Sequence, residues 1–526
     1  MLFRSTLAKQ EPELAISFYK QAVNVVESIR QDSRNLPRET QELYTASIAS
    51  TYRNLADLLL TQGRTREAQE ILELLKVQEA SDYNPSKIQN PKSKIQLKLH
   101  PLEQQAIETF DKAIAQNQSL KLQDYETLNQ PLKQNRDRLI QDGNAKETAI
   151  GNPQNLIADP NTILIQNLVI NDKLWVIWTT KSGGTQAIVT PLPKAKLDET
   201  VKTFRKQIGT QNSDLKELQT TSQTLHNWLI PPALQTELTK TPKQHLIFSL
   251  DHVTRYIPIA ALHNGKTYLT QRYQLSNITT TDTDTHDRLA VSQNSPTLAL
   301  GTSQAYPGFN ALANVPYELN IISQDQNPNG LYPGTKHLNA DFTRDVLKNL
   351  DRYRILHIAT HGHFNPINIL NSYLLLGNGD RLPISDIAAL TPLTNTHLVV
   401  LSACETGLSS TKSDGTEISG ISGYFLSRGA KSVIASLWSV DDASTALIMK
   451  SFYTHLSQGK TKAEALRQAQ LDILNIKDST AKTNAIGSLP RFNFDPQPVP
   501  QAKISSTPGY THPYYWAPFI LIGNSQ

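Results

Sequence analysis

Four short, almost entirely apolar runs in the second half of the chain restrict its fold more than any other feature. They are Thr297–Gly301, Ile355–Thr360, His397–Ser402 and Ser432–Ser436. Such runs are typical of strands that are buried on both faces of a mainly parallel sheet. Stretches with the periodicity of amphipathic helices separate them, including Asp341–Leu350. This alternation predicts a layered α/β domain.

Strand-like runs begin earlier, directly after a change of composition near Asp159 and Pro160. Ile163–Ile170, Leu174–Thr180 and Thr185–Pro191 have the character of strands, and Gly183-Gly184 predicts a hairpin turn between the last two. The chain returns to an apolar run at Trp516–Gly523 after a proline-rich stretch, Ser479–Thr511, which predicts an excursion loop. The α/β domain is therefore expected to span residues 159–526.

The first 80 residues are predicted to be helical. Apolar and small residues repeat at helical spacing in Leu14–Val26, Ala46–Leu60 and Arg64–Lys76. The pair within Tyr52–Leu75 resembles a tetratricopeptide (TPR) helix pair, although a generic helical hairpin fits the pattern equally well. Residues 81–158 are polar and are predicted to form a linker with one or two helices. The expected organisation is thus 1–80, 81–158 and 159–526.

Composition excludes several classes of protein. The single cysteine among 526 residues allows neither an intrachain disulfide nor a cysteine-based zinc or iron–sulfur site. The net charge of +4 is too small to indicate binding to nucleic acid. No apolar run approaches the roughly 20 residues that cross a bilayer, and the first residues lack the apolar region of a signal peptide. We expect a soluble cytoplasmic protein.

Two of the apolar runs end in residues that can carry chemistry. His361 and Gly362 follow one strand, and Cys404 follows another. Because the carboxyl ends of parallel strands share one edge of a sheet, these residues are expected to meet there. An imidazole next to a cysteine supports thiolate formation, and the backbone N–H groups of Gly362 and Cys404 are placed to bind an oxyanion. The alternative is that Cys404 is a small buried apolar residue.

Six blocks of sequence, in order, resemble the CHAT domain, a caspase-like, separase-related family of cysteine peptidases. They are Tyr256–His263, Ile358–Gly362, Leu401–Gly407, Arg428–Asp442, Ala465–Gln470 and His512–Gly523. The resemblance implies that Cys404 is the nucleophile, that His361 is the general base, and that Gly362 and the Cys404 amide form the oxyanion site. It also implies an inactive first half (159–295), a catalytic second half (296–526), and no requirement for a metal or cofactor.

Two carboxylates follow the Leu437-Trp438 strand end, where relatives of this family hold a substrate arginine. Asp442 matches the position better than Asp441. A carboxylate in a narrow pocket pairs with guanidinium through two hydrogen bonds, which indicates cleavage after Arg, with Lys weaker. The alternative is that one of the two aspartates caps the helix that begins near Ala443.

These features together predict a cysteine endopeptidase that cleaves a protein substrate through a thioester at Cys404. The N-terminal helices are expected to recruit substrate or another protein partner, or to restrain activity. A rival from a different class is a non-catalytic module that binds peptides on a TPR-like scaffold. The sequence identifies neither the substrate nor the oligomeric state.

Overall fold

The computed structural model describes most of the chain and divides it into two compact units. The described residues are 10–32, 38–82, 96–117, 120–145, 153–157, 159–240, 244–280, 291–325, 327–363, 371–387, 392–402, 404–405, 416–439, 441–487 and 509–526. One unit comprises Met1–Gln154 with Ile177–Ala187 and Thr280–Asp282, and the other comprises the remainder. None of the described helices is both long enough and apolar enough to cross a membrane.

The first unit is built from helices. They are α1 (Pro12–Asp32), α2 (Arg38–Thr61), α3 (Thr65–Asp82), α4 (Pro101–Ala115), α5 (Leu122–Gln134) and α6 (Arg136–Ala145). The predicted helices at Leu14–Val26 and Ala46–Leu60 are confirmed as parts of α1 and α2. A core that includes Leu14, Tyr125 and Leu132 joins helices α1 and α5. Apolar residues of α1 and α5 therefore pack against each other, as their helical periodicity predicts.

Four charged side chains are buried between the helices of this unit. Lys20 lies 2.9 Å from a carboxylate oxygen of both Glu67 and Glu103, and Arg64 also pairs with both carboxylates. Burial acts to raise the pKa of Glu67, but Lys20 and Arg64 outweigh it and lower the pKa to about 2. Because a buried charge without a partner is costly, this network fixes how α1, α3 and α4 pack.

The second unit contains a large sheet with helices. The described strands of the chain are β1 (Thr162–Val169), β2 (Lys173–Thr180), β3 (Gly184–Pro191), β4 (His245–Ser249), β5 (Gln274–Asn277), β6 (Thr297–Gly301), β7 (Gly334–Leu338), β8 (Ile355–Ala359), β9 (Gly362–His363), β10 (Tyr373–Leu375), β11 (Arg381–Pro383), β12 (Leu398–Leu401), β13 (Cys404–Glu405), β14 (Ser432–Ser436) and β15 (Phe519–Gly523). Parts of β2 and β3 belong to the first unit.

The helices that follow residue 152 precede β1 or lie between these strands, singly or in consecutive groups. They are α7 (Pro153–Leu156), α8 (Lys194–Ile208), α9 (Leu215–Leu229), α10 (Pro232–Lys240), α11 (Val315–Ile322), α12 (Ile384–Ile387), α13 (Thr416–Ser427), α14 (Asp442–Ser457), α15 (Lys462–Leu474), α16 (Ser479–Gly487) and α17 (Pro513–Trp516). The predicted α/β class, preceded by a helical region, is confirmed.

Eleven strands form the large sheet in the order β3-β2-β1-β4-β5-β15-β14-β12-β8-β6-β7. From β1 to β7 along this order, every described pairing is parallel except that of β14 with β15. The four apolar runs are strands β6, β8, β12 and β14, and each of these strands is fully buried. Burial on both faces explains why they lack the alternation of a half-exposed strand.

One predicted helix is wrong, and two predicted segments lie partly outside the described residues. Asp341–Leu350 contains only short 3₁₀ turns, because Thr343 is extended (φ −111°, ψ 173°) and interrupts any continuous helix. The predicted linker Asp82–Lys94 lies almost entirely outside the described residues, whereas the helices predicted within Pro101–Ile140 are present as α4, α5 and the first part of α6. The predicted excursion loop 479–511 begins with helix α16, and residues 488–508 lie outside the described residues.

Candidate active site

The strand ends that carry His361 and Cys404 are neighbours in the structure. Strands β8 and β12 pair in parallel, with Leu401 opposite Ile358. Beyond their ends, the short strands β9 and β13 also pair in parallel, with Cys404 opposite Gly362. These two strands belong to a second sheet of four, in the order β11-β10-β9-β13. The fold thus brings the backbone of Cys404 beside the His361-Gly362 segment.

His361 is buried and held in one orientation. Its Nε2 lies 2.8 Å from the backbone oxygen of Asn310, and its ring packs against Phe309 with the ring centres 4.9 Å apart. A carbonyl oxygen can only accept a hydrogen bond, so Nε2 carries the proton that it donates. In the neutral ring, Nδ1 is therefore the basic nitrogen.

The pairing of β9 determines the direction of the Gly362 N–H. The N–H of Leu375 donates to the oxygen of His361 at 2.8 Å, so His361 bonds toward β10. Successive residues of an antiparallel strand bond toward opposite neighbours. The N–H of Gly362 therefore faces the other edge of β9, which is the edge beside Cys404.

One loop between β6 and α11 reaches both His361 and the predicted specificity pocket. Gly308, with φ of 85°, allows the chain to turn back so that Tyr306 and Phe309 pair through their backbones. The Tyr306 hydroxyl donates to the oxygen of Gly377 at 2.6 Å, which anchors the turn. Asn310, which follows directly, orients the imidazole.

Asn314, near the end of the same loop, binds Asp442. Oδ2 of Asp442 accepts hydrogen bonds from the backbone N–H of Asn314 at 2.9 Å and from its Nδ2 at 2.7 Å. Burial raises the pKa of Asp442 to about 6, with Glu318 and Asp441 adding to the rise, although the Asn314 hydrogen bonds oppose it. No described residue donates to Oδ1.

Asp441 has the capping role that the sequence left open between the two aspartates. Its side chain accepts a hydrogen bond from the N–H of Ser444 at 2.9 Å, and it is the N-cap residue of α14. Asp442 is the first residue of that helix and bonds to Asn314 instead. The two neighbouring carboxylates therefore have different partners, and Asp442 remains the better candidate for the pocket.

A buried polar cluster lies on strand β8, four residues before His361. The Nε2 of His357 lies 2.9 Å from Oε1 of Glu318, and its Nδ1 lies 3.0 Å from the Tyr453 hydroxyl. Burial, with Tyr332 and Glu318, raises the pKa of Tyr453 well above its ordinary value, so the hydroxyl keeps its proton and donates to Nδ1. This cluster ties β8 to α11 and α14, the helices that flank the Asp442 contact.

Sequence reasoning missed Asn310 and Asn314. Asn310 acts through its backbone oxygen, which any residue possesses, so no side-chain pattern could reveal it. The available signal was positional, because the loop after β6 leaves the same edge of the sheet as the loops after β8 and β12.

Comparisons with known proteins point to one family. A sequence model of the CHAT domain matches residues 219–524. No curated protein sequence matches this chain. Among solved structures, separase in the Saccharomyces cerevisiae separase–securin complex shares 9% identity at a TM-score of 0.45, covering 97% of this chain and 40% of separase. This chain therefore spans less than half the length of that protein.

Bacterial peptidases also appear among the similar structures. The Arg-specific cysteine proteinase gingipain R has a TM-score of 0.34 and 9% identity, covering 63% of this chain and 74% of that one. The complex of the pro- and mature domains of Porphyromonas gingivalis RgpB has a TM-score of 0.32 and 10% identity, covering 63% and 76%. The family match includes every strand from β4 to β15 and more than half of the sequence. The chain belongs to the CHAT domain family.

Proposed function

We propose that this protein is a cysteine endopeptidase with Cys404 as its nucleophile and His361 as its general base. The observation that carries the proposal is the pairing of Cys404 with Gly362, directly beside an imidazole that Asn310 orients. The proposal places the catalytic machinery in residues 296–526 and treats 159–295 as an inactive half of the same α/β domain.

The reaction divides into acylation and hydrolysis. The Cys404 thiolate attacks the substrate carbonyl carbon, and the N–H groups of Gly362 and Cys404 stabilise the oxyanion that forms. His361 takes the thiol proton on Nδ1 and gives it to the leaving amine, so the peptide bond breaks and a thioester remains. The same nitrogen then removes a proton from water, whose oxygen attacks the thioester carbon. The C–S bond breaks, the carboxylic acid product leaves, and His361 returns the proton to the sulfur. No cofactor is required by this sequence of steps.

We propose Asp442 as the residue that binds the substrate side chain on the amino side of the cleaved bond. No described residue donates to its Oδ1, while Asn314 holds Oδ2 and therefore fixes the plane of the carboxylate. A fixed carboxylate favours the planar guanidinium of arginine over the ammonium of lysine. Cleavage is therefore expected after Arg, with Lys weaker.

The helical unit is proposed to bind a protein partner or substrate, and the protein is proposed to act in the cytoplasm, where a single thiol stays reduced. A groove of about 490 Å³ in this unit is lined by apolar residues, including Phe18 and Phe110. This groove also favours the alternative function, a module that binds a peptide without cutting it.

Thiol reactivity tests the catalytic proposal against this alternative. Because the chain has one cysteine, all thiol alkylation by iodoacetamide reports on Cys404. At pH 6 the native thiol should react at least about tenfold faster than the same thiol in the urea-unfolded chain, since a neighbouring imidazole lowers the pKa of a thiol. His361→Ala should remove this difference, whereas His363→Ala, next in the same segment, should retain it.

Identification of new protein termini tests the reaction itself. Proteins incubated with the wild-type enzyme should gain termini after Arg that are missing with Cys404→Ala. A reactive thiol without new termini would leave the binding module as the better account of the α/β domain.

A further inference from the structure

A small pocket separate from the candidate active site lies in the first half of the α/β domain. It has a volume of about 110 Å³ and is bordered by helices α9 and α10 and by the segment from Asn264 to Tyr273. Its lining includes the guanidinium of Arg272, the hydroxyl of Tyr273 and the imidazole of His226, among other polar side chains. None of the residues that line it is acidic.

Tyr273 presents a buried hydroxyl that has no hydrogen-bond partner among the described residues. The side chain is 4% exposed, and its Oη is buried without a partner. Buried polar groups in proteins are almost always bonded, so a lone one requires a reason. Tyr353 provides a contrast within the same chain, because its hydroxyl bonds to Thr335 Oγ1 at 2.9 Å.

Arg272 supplies a positive charge at the same pocket. Its guanidinium lies 5.2 Å from the centre of the Tyr273 ring, and no carboxylate of a described residue pairs with it. Arg352 stands in the same relation to the tyrosine that follows it, at 4.8 Å from the Tyr353 ring, but does not line this pocket.

His226 lies in the last turn of α9 and is 5% exposed. Its Nδ1 lies 3.3 Å from Oδ1 of Asn227, which can only accept a hydrogen bond, so Nδ1 carries the proton of the neutral ring and Nε2 donates only when the ring is protonated. Burial lowers the pKa of His226, and the positive surroundings from His263 and Arg272 act in the same direction. The pocket therefore contains a positive charge and no acidic lining residue. A bound anion would supply the missing negative charge.

We propose that this pocket binds a small oxyanion, a phosphate or a carboxylate, between the Arg272 guanidinium and the Tyr273 hydroxyl. The volume accommodates several water molecules and hence one group of this size. Charge-assisted hydrogen bonds from guanidinium to carboxylate or phosphate are among the strongest in proteins. The oxyanion would give the Tyr273 hydroxyl the acceptor that the described residues do not provide.

Ligand-dependent thermal stability of the full chain tests the proposal. Inorganic phosphate and acetate are titrated separately at constant ionic strength, with chloride as the balancing ion. Wild-type protein should show a saturable rise in Tm with at least one of the two anions, and which anion acts distinguishes the two chemistries. Arg272→Gln should weaken the apparent affinity about tenfold, whereas Arg352→Gln should leave it unchanged.

Tyr273→Phe is a second variant for the case that Arg272→Gln does not fold. It removes only the hydroxyl and should therefore fold. Without anion it should be at least as stable as wild type, since the lost hydroxyl had no partner, and its anion affinity should fall several-fold. Equal responses of wild type and Arg272→Gln, or no response beyond that of chloride, would overturn the proposal. Neither result depends on peptidase activity.

Discussion

Two substitutions of Asp442 separate the effect of its negative charge from the effect of its hydrogen bonds to Asn314. Asp442→Asn removes the negative charge but keeps an oxygen that accepts both hydrogen bonds from Asn314. Asp442→Ala removes the charge and the acceptor together. If Asp442 binds substrate arginine, both variants should lose that recognition, while only the alanine variant should leave Asn314 unsatisfied.

The effect on stability follows from the raised pKa. The folded protein holds the Asp442 proton more tightly than the unfolded chain, with pKa values of about 6 and 3.8. This contribution to stability is complete below pH 3.8 and is lost as the pH rises through 6. The difference corresponds to about 3 kcal/mol at pH 7, which solvent screening at this partly exposed site reduces to about 1–2 kcal/mol.

Asp442→Asn should therefore be more stable than wild type at pH 7 by that amount and equal to it near pH 4. Asp442→Ala should be less stable than the asparagine variant by about 1–3 kcal/mol, the cost of donors left without an acceptor. Urea unfolding at the two pH values measures both differences. An asparagine variant that is less stable than wild type at pH 7 would refute the reasoning about charge.

Peptide reporters measure the effect on specificity. The ratio of kcat/KM for an arginine reporter to that for a norleucine reporter should fall about 100-fold in both variants, since losing one partner of a buried charge pair costs about 2–5 kcal/mol. In wild type this ratio should also decrease at pH values below 6, because Asp442 becomes protonated there. Asp441→Asn is the matched control, because asparagine also caps helices, and its ratio should not change. An unchanged ratio in Asp442→Asn would remove Asp442 from the pocket.

Three further outcomes follow from buried charges. Glu318→Gln removes a carboxylate that raises the pKa of Asp442. The pH at which the arginine-to-norleucine ratio of kcat/KM falls should therefore be lower in this variant. An unchanged pH dependence of the ratio would contradict this. Lys20→Met leaves the carboxylates of Glu67 and Glu103 with one partner fewer and should cost about 3–5 kcal/mol in urea unfolding at pH 7; a loss below about 1 kcal/mol would show that the site is hydrated. The pKa of Glu67 is lowered from 4.5 to about 2, so the stability that its ionised form contributes is present above pH 4.5 and is lost as the pH falls through 2. The free energies of unfolding of Lys20→Met and wild type should therefore differ less at pH 2 than at pH 7.

The sequence was most informative where one physical requirement dominated. Strands β6, β8, β12 and β14 were predictable because burial on both faces leaves a continuous apolar run. Strand β5 was not predicted, because its sequence Gln-Leu-Ser-Asn is mostly polar and its place depends on the strands beside it. Asp341–Leu350 was mistaken for a helix because the spacing of apolar residues did not reveal the extended backbone at Thr343.

The candidate site shows the same division. The meeting of His361 with Cys404 was predictable from the ends of parallel strands, and the structure pairs the backbones at that point. The roles of Asn310 and Asn314 were not predictable, since they depend on how a loop folds back across the sheet. The choice between Asp441 and Asp442 also required tertiary contacts, because neighbouring residues of the same type have the same local propensity to cap a helix.

Strand β15 lies at the centre of the large sheet, between β5 and β14, and this position affects how the chain is made. The ribosome adds β15 about 240 residues after β5, which takes about 10–50 s at common rates of synthesis. During that interval β5 has an open edge whose N–H and C=O groups invite pairing with other chains. The same five residues pair with the edge strands of both halves of the sheet, β5 and β14, so both edges stay open until β15 has been made. Chaperones that shield strand edges are therefore expected to associate with this protein while it is still being translated.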